Sequence, residues 1–260
     1  MLKRYALSDA QWERIKHLLP GQAGHVGANS PDTRLFVDAV LYRYRSGIPW
    51  RDLPERFGDF RNIHQRHTRW CKSGVWQRVF ETIASSADNE YVMIDSTIVK
   101  AHQHSAGGRK KGEQQAQALG RSRGGLSTKI HATVDAQGQP TRVCLTGGQA
   151  LDLDGADVLL PDNAGRTLIA DKGYDAMQRV VTPALRAGKT VVIPTIRDGR
   201  RQRNFDRSLY RLRHHIENFF ARLKQWRGIA TRYDKTARRF LGAIHLICAI
   251  DWLAPFTDTP

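Results

Sequence analysis

Cysteine is scarce in this sequence. Its 260 residues include three, Cys71, Cys144 and Cys248, which lie far apart and form no Cys-x-x-Cys pair. Structural zinc sites and disulfide frameworks use closely spaced or more numerous cysteines, so this spacing argues against both.

Long apolar runs are also missing. No stretch reaches the roughly 20 residues that a transmembrane helix needs. Residues 1–20 are charged and lack the small-residue cleavage site of a signal peptide. We therefore expect a cytoplasmic protein without a membrane partner. A hydrophobic content of 40% over 260 residues predicts one or two globular domains with a proper core.

Acidic residues are few compared with basic ones: 25 Asp and Glu stand against 41 Lys and Arg, for a net charge of +16. Residues 100–129 hold seven Lys and Arg and one acid, and residues 200–239 hold 13 and three, so these segments carry +6 and +10 and the remainder is neutral. Such concentration predicts a polyanion-binding surface, with nucleic acid as the leading partner. Charge for solubility alone needs no concentration, and an anionic membrane is disfavoured because no amphipathic anchor accompanies the basic segments.

Residues 1–87 predict a small all-helical domain. Ser8 and Gln11 have the spacing of a capping box at the first helix. A later helix, residues 59–71, carries Arg61, Arg66 and several further polar side chains, which suits a helix-turn-helix DNA reader. A dimerisation or packing module is the alternative. The predicted helices span residues 8–19, 33–45, 59–71 and 74–85, and residues 49–57 are predicted as a short helix or turn.

The pattern changes at Glu90. Residues 91–99, YVMIDSTIV, are apolar on both faces and rich in β-branched residues, which predicts a buried central strand. Asp95 stands in its middle, and a buried charge is costly unless it is paired or binds a metal. Asp95 is therefore a functional candidate.

Strands and helices alternate after this point. Residues 128–134 and 141–146 predict a β-hairpin, and the strand 167–171 ends on a second acid, Asp171. Residues 103–127 are rich in Gly, Gln and Arg and predict a flexible basic loop. Further helices are predicted over residues 152–160, 177–187 and 236–253, with a strand over residues 190–194.

The stretch from Ser208 to Trp226 contains neither Pro nor Gly and predicts an amphipathic helix. At ~100° per residue, Tyr210, Arg213, Glu217 and Lys224 fall within an arc of roughly 60°, opposite an apolar stripe. A single carboxylate among so many bases is either a salt-bridge partner or a metal ligand.

Three separated acids can converge in such a fold, because strand ends and helix faces meet at one edge of a parallel or mixed sheet. Asp95, Asp171 and Glu217 would then bind two divalent cations, the arrangement used for phosphodiester chemistry. Oxygen ligands favour Mg²⁺ or Mn²⁺ over zinc.

The segments IDST around Asp95, ADKGYD around Asp171 and IENFFARLK around Glu217 together resemble the DDE insertion-sequence transposases. Within that group, the glutamate helix resembles the branch with a Tyr-x2-Arg-x3-Glu-x6-Lys signature, which is met without change in spacing. The segment GRSRGGLSTKIHA, residues 120–132, is similar to one typical of the insertion-sequence-five group. The resemblance covers essentially the whole chain.

This resemblance implies an α/β fold: a ribonuclease-H-like catalytic domain over residues 88–260, a mixed sheet flanked by helices, behind the helical domain 1–87. It also implies that Asp95, Asp171 and Glu217 are the catalytic triad and hold Mg²⁺ or Mn²⁺, as two ions. The partners would be terminal inverted repeats and target DNA, with a homodimer or larger assembly, because two ends must be joined. A bacterial, nucleoid-associated location follows.

The DNA contacts fall into two groups. The resemblance implies that Tyr210, Arg213 and Lys224 hold transposon-end DNA. Lys172, His214, Arg121, Arg123, Arg61 and Arg66 are further candidates. Asp175, four residues after Asp171, is interpreted as a structural residue, with a metal role as the alternative.

Two other functions remain open from the sequence. A nuclease of the same fold would cut DNA without strand transfer, and a DNA-binding regulator or inactive relic would do neither. The presence of all three acids argues against the relic.

Overall fold

A computed structural model describes residues 5–21, 32–106, 117–195 and 204–253. Short 3₁₀ turns and one π turn, Met177–Val181, join the longer elements. The helices are α1 (Asp9–Ile15), α2 (Thr33–Ser46), α3 (Phe60–Lys72), α4 (Val75–Ala84), α5 (Gln103–Ala106), α6 (Asp152–Leu159), α7 (Thr182–Arg186), α8 (Arg207–Arg211), α9 (His214–Lys224), α10 (Arg227–Ala230) and α11 (Ala237–Leu253). The strands are β1 (Tyr91–Ala101), β2 (Gly120–Ser122), β3 (Gly125–Val134), β4 (Pro140–Gly147), β5 (Thr167–Ile169), β6 (Thr190–Val192) and β7 (Thr231–Arg232).

The sheet is mixed, as predicted. β1, β3 and β4 form an antiparallel meander, and β5 and β6 extend it on the other side of β1 as parallel strands. The connection from β5 to β6 includes the helix α7, which is the usual crossover between parallel neighbours, whereas the connection from β1 to β5 also contains β2, β3 and β4. This is the mixed α/β class that the resemblance implied. The short β2 continues along β3, and β7 pairs with the end of β1.

Alternating side chains of β1 enter two separate cores. Met93 and Val99 belong to a large cluster with residues of α9 and α11, whereas Val92 and Ile94 pack with residues of α6 and Tyr174. A strand directs successive side chains to opposite faces, so one apolar strand can supply both cores. Helices therefore cover both faces of the sheet.

Residues 1–87 contain helices and turns wherever they are described, and the Ser8–Gln11 capping box is present. Their core is nevertheless shared with the rest of the chain. The C-terminal helix α11 packs on α3 and α4, and Gly242 of α11 stands so close to Cys71 that a Cβ there would lie 2.6 Å from its Sγ. The boundary near residue 87 divides the sequence, but not the hydrophobic core.

The glutamate helix differs from its prediction as a single helix from Ser208 to Trp226. It is divided into α8 and α9, because Leu212, Arg213, His215 and Ile216 donate their N–H groups to carbonyls three residues back instead of four. Such bonds tighten the turn and rotate α9 relative to α8. Arg213 consequently stands at the junction of two helices.

The predicted flexible basic loop, residues 103–127, is partly regular. Residues 103–106 form α5, and β2 with the start of β3 forms a hairpin whose turn contains Arg123. Residues 107–116 of that prediction lie outside the described residues.

In the four described segments no helix is long and apolar enough to cross a membrane.

Candidate active site

The strand register brings two of the predicted acids to the same level. β1 and β5 are parallel, with Met93 opposite Ile169, and two further residues along each chain lead to Asp95 and Asp171. β5 ends at Ile169, so Asp171 lies in the loop beyond it, whereas the sequence pattern predicts it as the last residue of the strand. Neighbouring strands are ~4.8 Å apart, so this register sets the two acids beside each other at the edge of the sheet.

Asp95 is only one-fifth exposed and is held on both oxygens. Its Oδ2 accepts a hydrogen bond from Arg213 Nη1 at 2.7 Å, and its Oδ1 accepts one from the Ser96 amide at 2.7 Å. Burial raises the pKa of Asp95, and nearby Asp171 raises it as well, whereas the Ser96 amide and Arg213 lower it. The cation beside it therefore offsets part of the cost of burying this charge.

Arg213 joins the glutamate to Asp95. Its second terminal nitrogen pairs with Glu217 Oε1 one turn along the helix, while its first contacts Asp95. Glu217 lies in the first turn of α9, where the helix dipole favours an acid, and its side chain is about half exposed at 53%. One guanidinium thus spans carboxylates that are 122 residues apart in sequence.

Asp171 begins a 3₁₀ turn, Lys172–Tyr174. Its Oδ1 accepts the Gly173 amide at 2.8 Å, which fixes the carboxylate against its own backbone. A Cβ added to Gly173 would lie 3.0 Å from Asp171 Oδ1 and 3.8 Å from Asp152 Oδ2. These two carboxylates therefore face the same small space.

Asp152, which the sequence analysis missed, belongs to this neighbourhood. It is the first residue of α6, and its Oδ1 accepts hydrogen bonds from Ser96 Oγ at 2.5 Å and Lys129 Nζ at 3.1 Å. The sequence contained a signal for it, because Lys129 is a charged residue inside an apolar strand, as Asp95 is.

Tyr174 was also missed. Its side chain is fully buried, and its hydroxyl has no hydrogen-bond partner among the residues that the structure describes. Burial raises the pKa of Tyr174, and the charges of Asp152, Asp95 and Asp171 raise it further. The phenol therefore stands within electrostatic reach of three carboxylates, in a place where a buried donor is costly without a partner.

With the side chains as they stand, the described segments contain no group of three His, Cys, Asp or Glu residues set to hold a metal ion. A positive group already occupies the space between two of the candidate ligands, since Arg213 contacts Asp95 and Glu217 together. The donors are carboxylates, and the buried Tyr174 hydroxyl lacks a partner in the described segments. Hard divalent cations prefer oxygen donors of this kind.

The other residues of the predicted signature lie along the same helices. Tyr210 is half-buried on α8 and packs edge-on against Phe205. Lys224 is exposed at the end of α9, His214 is exposed at its start, and Lys172 is exposed beside Asp171. The structure thus brings Arg213 into the acid cluster and leaves Lys224, His214 and Lys172 at the surface nearby.

The remaining candidates for DNA contact lie elsewhere. Arg121 and Arg123 are exposed on the β2–β3 hairpin, and Arg61 is exposed on α3. Arg66 is engaged in packing: it donates to Thr33 Oγ1 at 2.8 Å and covers the rings of Phe36 and Trp70. Its guanidinium is therefore less available than that of Arg61.

Asp175 is half-buried and ends the 3₁₀ turn, with its amide donating to the Lys172 carbonyl at 3.1 Å. Any residue could make this backbone hydrogen bond, so it does not test the structural interpretation of Asp175. Whether it also has a metal role stays a prediction.

Two consecutive parts of the chain match protein families. Residues 7–80 match the family described as "Putative transposase of IS4/5 family". Residues 87–252, more than half of the chain, match the family described as "Transposase DDE domain".

Individual relatives cover shorter parts of the chain. It is 39% identical over 131 residues to "Putative transposase for insertion sequence element IS6501" of Brucella ovis, across 49% of this chain and 99% of that protein. It is 52% identical over 106 residues to "Uncharacterized protein y4sN" of Sinorhizobium fredii, across 40% of this chain and 83% of that protein.

Among solved structures, the chain is similar to a protein in "Crystal structure of a pre-cleavage Mos1 transpososome". The identity is 11% and the TM-score 0.29, across 91% of this chain and 82% of that one. A likeness this distant carries no argument about assembly or site.

Proposed function

Since this chain belongs to the "Transposase DDE domain" family, we propose that Asp95, Asp171 and Glu217 are the acids with which this DNA transposase cuts and joins DNA. One observation carries the assignment: the Arg213 guanidinium pairs with Asp95 and Glu217 at once, at the edge where the register sets Asp171 level with Asp95. Residues from a strand, a loop and a helix thus share one cluster of charge.

The three carboxylates would hold the divalent metal ions that this family uses. We propose Mg²⁺, or Mn²⁺ in its place, and two ions, because carboxylate oxygens are the ligands that these hard cations prefer. Two such ions activate an attacking oxygen and stabilise a leaving one in phosphodiester chemistry. The chain itself must keep Asp95 ionised despite its burial, which the Ser96 amide and Arg213 both favour.

Arg213 has a second role in this proposal. A DNA phosphodiester, like a carboxylate, carries one negative charge and can accept two hydrogen bonds from a guanidinium, so it can replace the carboxylates as the partner of Arg213. A phosphate entering the site would draw Arg213 away from Asp95 and Glu217 and free both carboxylates for metal. Tyr210, Lys224, Lys172 and His214, on adjoining positions, would hold the flanking backbone of the transposon end.

A second DNA surface is proposed on α3. Its exposed side chains include Arg61, Asn62, Gln65, Arg69 and Lys72, and none of them is acidic. This surface suits recognition of the terminal repeats, and Arg121 and Arg123 on the β2–β3 hairpin suit contact with the phosphate backbone. A dimerisation surface on the same helices is the alternative, because joining two ends requires at least two copies at the DNA.

We infer that the partners are the terminal inverted repeats and target DNA, bound by a homodimer or larger assembly. The net charge of +16 supports a polyanionic partner. A nucleoid-associated cytoplasmic location in bacteria follows from that partner.

Cleavage and strand transfer on labelled duplexes of the terminal repeats test the catalytic assignment. The full chain is compared with Asp95→Asn, and with Asp157→Asn as a control that removes an exposed acid of α6 paired with Arg179. We expect nicking at the repeat boundary with Mg²⁺ or Mn²⁺, none with EDTA, and a loss of at least ~1000-fold in Asp95→Asn alone. Full activity in Asp95→Asn would refute the triad.

The same assay separates the alternatives. Nicking without joined products would indicate a nuclease of this fold, and binding without nicking in any metal would indicate a regulator or relic. For α3, the full-length Arg61→Gln, Arg69→Gln double variant should lose affinity for the repeats and lower the salt slope by about two, compared with Arg51→Gln, Arg78→Gln. An unchanged slope would favour the dimerisation role.

A further inference from the structure

A fourth carboxylate lies beside the proposed triad. Asp152 starts α6, which packs on the face of the sheet opposite α9. Ser96, the neighbour of Asp95 on β1, points to that opposite face and donates its hydroxyl to Asp152 Oδ1 at 2.5 Å. Asp95 therefore lies on the α9 side of β1, and its neighbour Ser96 binds Asp152 on the α6 side.

Only one oxygen of Asp152 takes part in the hydrogen bonds that position its carboxylate. Ser96 Oγ and Lys129 Nζ both bind Oδ1, and Lys129 is itself held by the Ala150 carbonyl at 2.6 Å. Oδ2 has no hydrogen-bond partner within the described part of the chain, and the side chain is 38% exposed. One oxygen of a partly exposed, positioned carboxylate is therefore left without a partner in the described residues.

The Oδ2 atom of Asp152 lies near Asp171. A Cβ added to Gly173 would lie 3.8 Å from Asp152 Oδ2 and 3.0 Å from Asp171 Oδ1. The two oxygens therefore cannot be farther apart than the sum of these distances, which is below 7 Å. Gly173 carries no side chain that would fill this space. Two carboxylates at such a distance can share one cation through direct or water-mediated contacts.

The Tyr174 hydroxyl provides an independent indication of a missing ligand. It is fully buried, has no partner among the described residues, and feels the charges of Asp152, Asp95 and Asp171 together. Buried hydroxyls are nearly always hydrogen-bonded, so a buried donor without a partner in the described residues, three positions after Asp171, points to an absent component. A hydrated cation would supply water oxygens to this donor.

We propose that Asp152 is a fourth acidic ligand of the metal site, which holds a divalent cation together with Asp171 on the side of the sheet edge away from Arg213. Ser96 and Lys129 position its carboxylate, and Tyr174 donates to the water carried by the ion. This inference rests on the proposed function and deepens it, because it assigns the site a second ligand pair. Arg213 competes at the Asp95–Glu217 pair, whereas the Asp152–Asp171 pair is open without DNA.

A titration of the full chain with Mn²⁺ and no DNA tests the proposal. Electron paramagnetic resonance measures the Mn²⁺ that stays free. Asp152→Asn keeps an oxygen for Ser96 and Lys129 but loses the charge, and Asp157→Asn removes an equal charge from the exposed side of the same helix. We expect at least ~10-fold weaker Mn²⁺ binding, or the loss of one ion, in Asp152→Asn and a change below ~2-fold in Asp157→Asn.

Cleavage of the terminal-repeat duplex by Asp95→Asn separates this inference from the proposed function. Wild-type Mn²⁺ affinity in Asp152→Asn with loss of cleavage in Asp95→Asn would overturn the fourth ligand and leave the triad intact. Wild-type cleavage in Asp95→Asn would overturn the triad assignment. If Asp152→Asn fails to unfold cooperatively, Ser96→Ala, which retains every charge, decides the matter: a severalfold loss of affinity supports the proposal, and an unchanged affinity refutes it.

Discussion

At the scale of single residues, Arg213 is the side chain that links Asp95 to Glu217. It neutralises Asp95, which burial makes hard to ionise, and it pairs with Glu217. The same contacts place a positive group where the metal ligands should converge. DNA binding and metal binding are therefore expected to be coupled through this one guanidinium.

Replacing Arg213 by Gln tests that coupling. Without DNA, the variant should bind Mn²⁺ about fivefold more tightly than the wild type, because a competing interaction of ~1 kcal/mol is removed from a partly exposed site. Its affinity for terminal-repeat DNA should fall. Calorimetric titration with Mn²⁺, with Arg211→Gln as an exposed control on the neighbouring helix, measures the effect. Weaker Mn²⁺ binding in Arg213→Gln would contradict the competition.

Tyr174 offers a second test at this scale. Because its buried hydroxyl has no partner in the described residues, Tyr174→Phe should leave the metal-free free energy of unfolding unchanged or raise it by up to ~1 kcal/mol. Tyr44→Phe is the matched control, since the Tyr44 hydroxyl donates to Asp234 at 3.1 Å and contacts His67 at 3.2 Å. That variant should lose ~1–3 kcal/mol. Equal losses in urea unfolding would show that Tyr174 has a protein partner.

At the scale of elements, α6 and the α8–α9 junction position the acids. The tight turn at Leu212 sets Arg213 against β1, and α6 carries Asp152 to Ser96. α6 can approach the sheet so closely because Gly155 faces the buried His131 of β3, where any Cβ would overlap the imidazole ring. Helix-to-sheet distance thus determines where Asp152 stands.

Gly155→Ala tests this dependence. The added methyl group must push α6 away from β3, so we expect a destabilisation of ~1–3 kcal/mol together with weaker Mn²⁺ binding. Val158→Ala, an exposed change on the same helix, should stay within ~0.5 kcal/mol. Denaturant unfolding gives the first quantity. Wild-type stability in Gly155→Ala would mean that α6 does not depend on this close approach.

At the scale of the whole molecule, buried neutral histidines make stability depend on pH. Burial lowers the pKa of His67 to about 3 and those of His131 and His245 to about 4. An unfolded chain takes up a proton on each near pH 6.5, and the folded chain does not. The free energy of unfolding should therefore fall as the pH drops below 6.5, although Asp95 and Asp135, whose pKa values burial raises, oppose part of this loss.

His245→Leu isolates one contribution, because His245 is buried beside Phe80 on the α11–α4 contact. Between pH 6.5 and 5, the free energy of unfolding of the variant should fall less steeply with decreasing pH than that of the wild type. The two slopes should differ by up to ~1.4 kcal/mol per pH unit. His17→Gln, which replaces an exposed histidine, serves as the control variant. A wild-type slope in His245→Leu would show that His245 is protonated in the folded state.

The shared core makes a further prediction at this scale. A fragment of residues 1–87 lacks α11, which covers α3 and α4, and it also lacks Asp234, which binds Tyr44. We expect the fragment to be helical but without a cooperative thermal transition, in contrast to the full chain. Circular dichroism on heating measures this, and a sharp transition in the fragment would show that it is an independent domain.

Features that depend on residues close together in the sequence could be predicted, whereas features that depend on distant contacts could not. Tyr91–Val99 was recognised as a strand because its apolar, β-branched residues are a local signal, and Asp95 stood out inside it. The hairpin from β3 to β4 and the capping box at Ser8 are equally local, and both were confirmed. Asp152 was missed because an acid at the start of a helix is ordinary.

The sequence by itself determined the order of helices and strands, the mixed α/β class and the membership of the DDE transposase family, since these follow from periodicity and from motifs of a few residues. Only the tertiary structure decided what lies beside Asp95. The register of β1 against β5, the break before α9 and the depth of α6 bring Arg213, Asp171 and Asp152 to one edge. Contacts between residues tens of positions apart depend on packing, which no local pattern encodes.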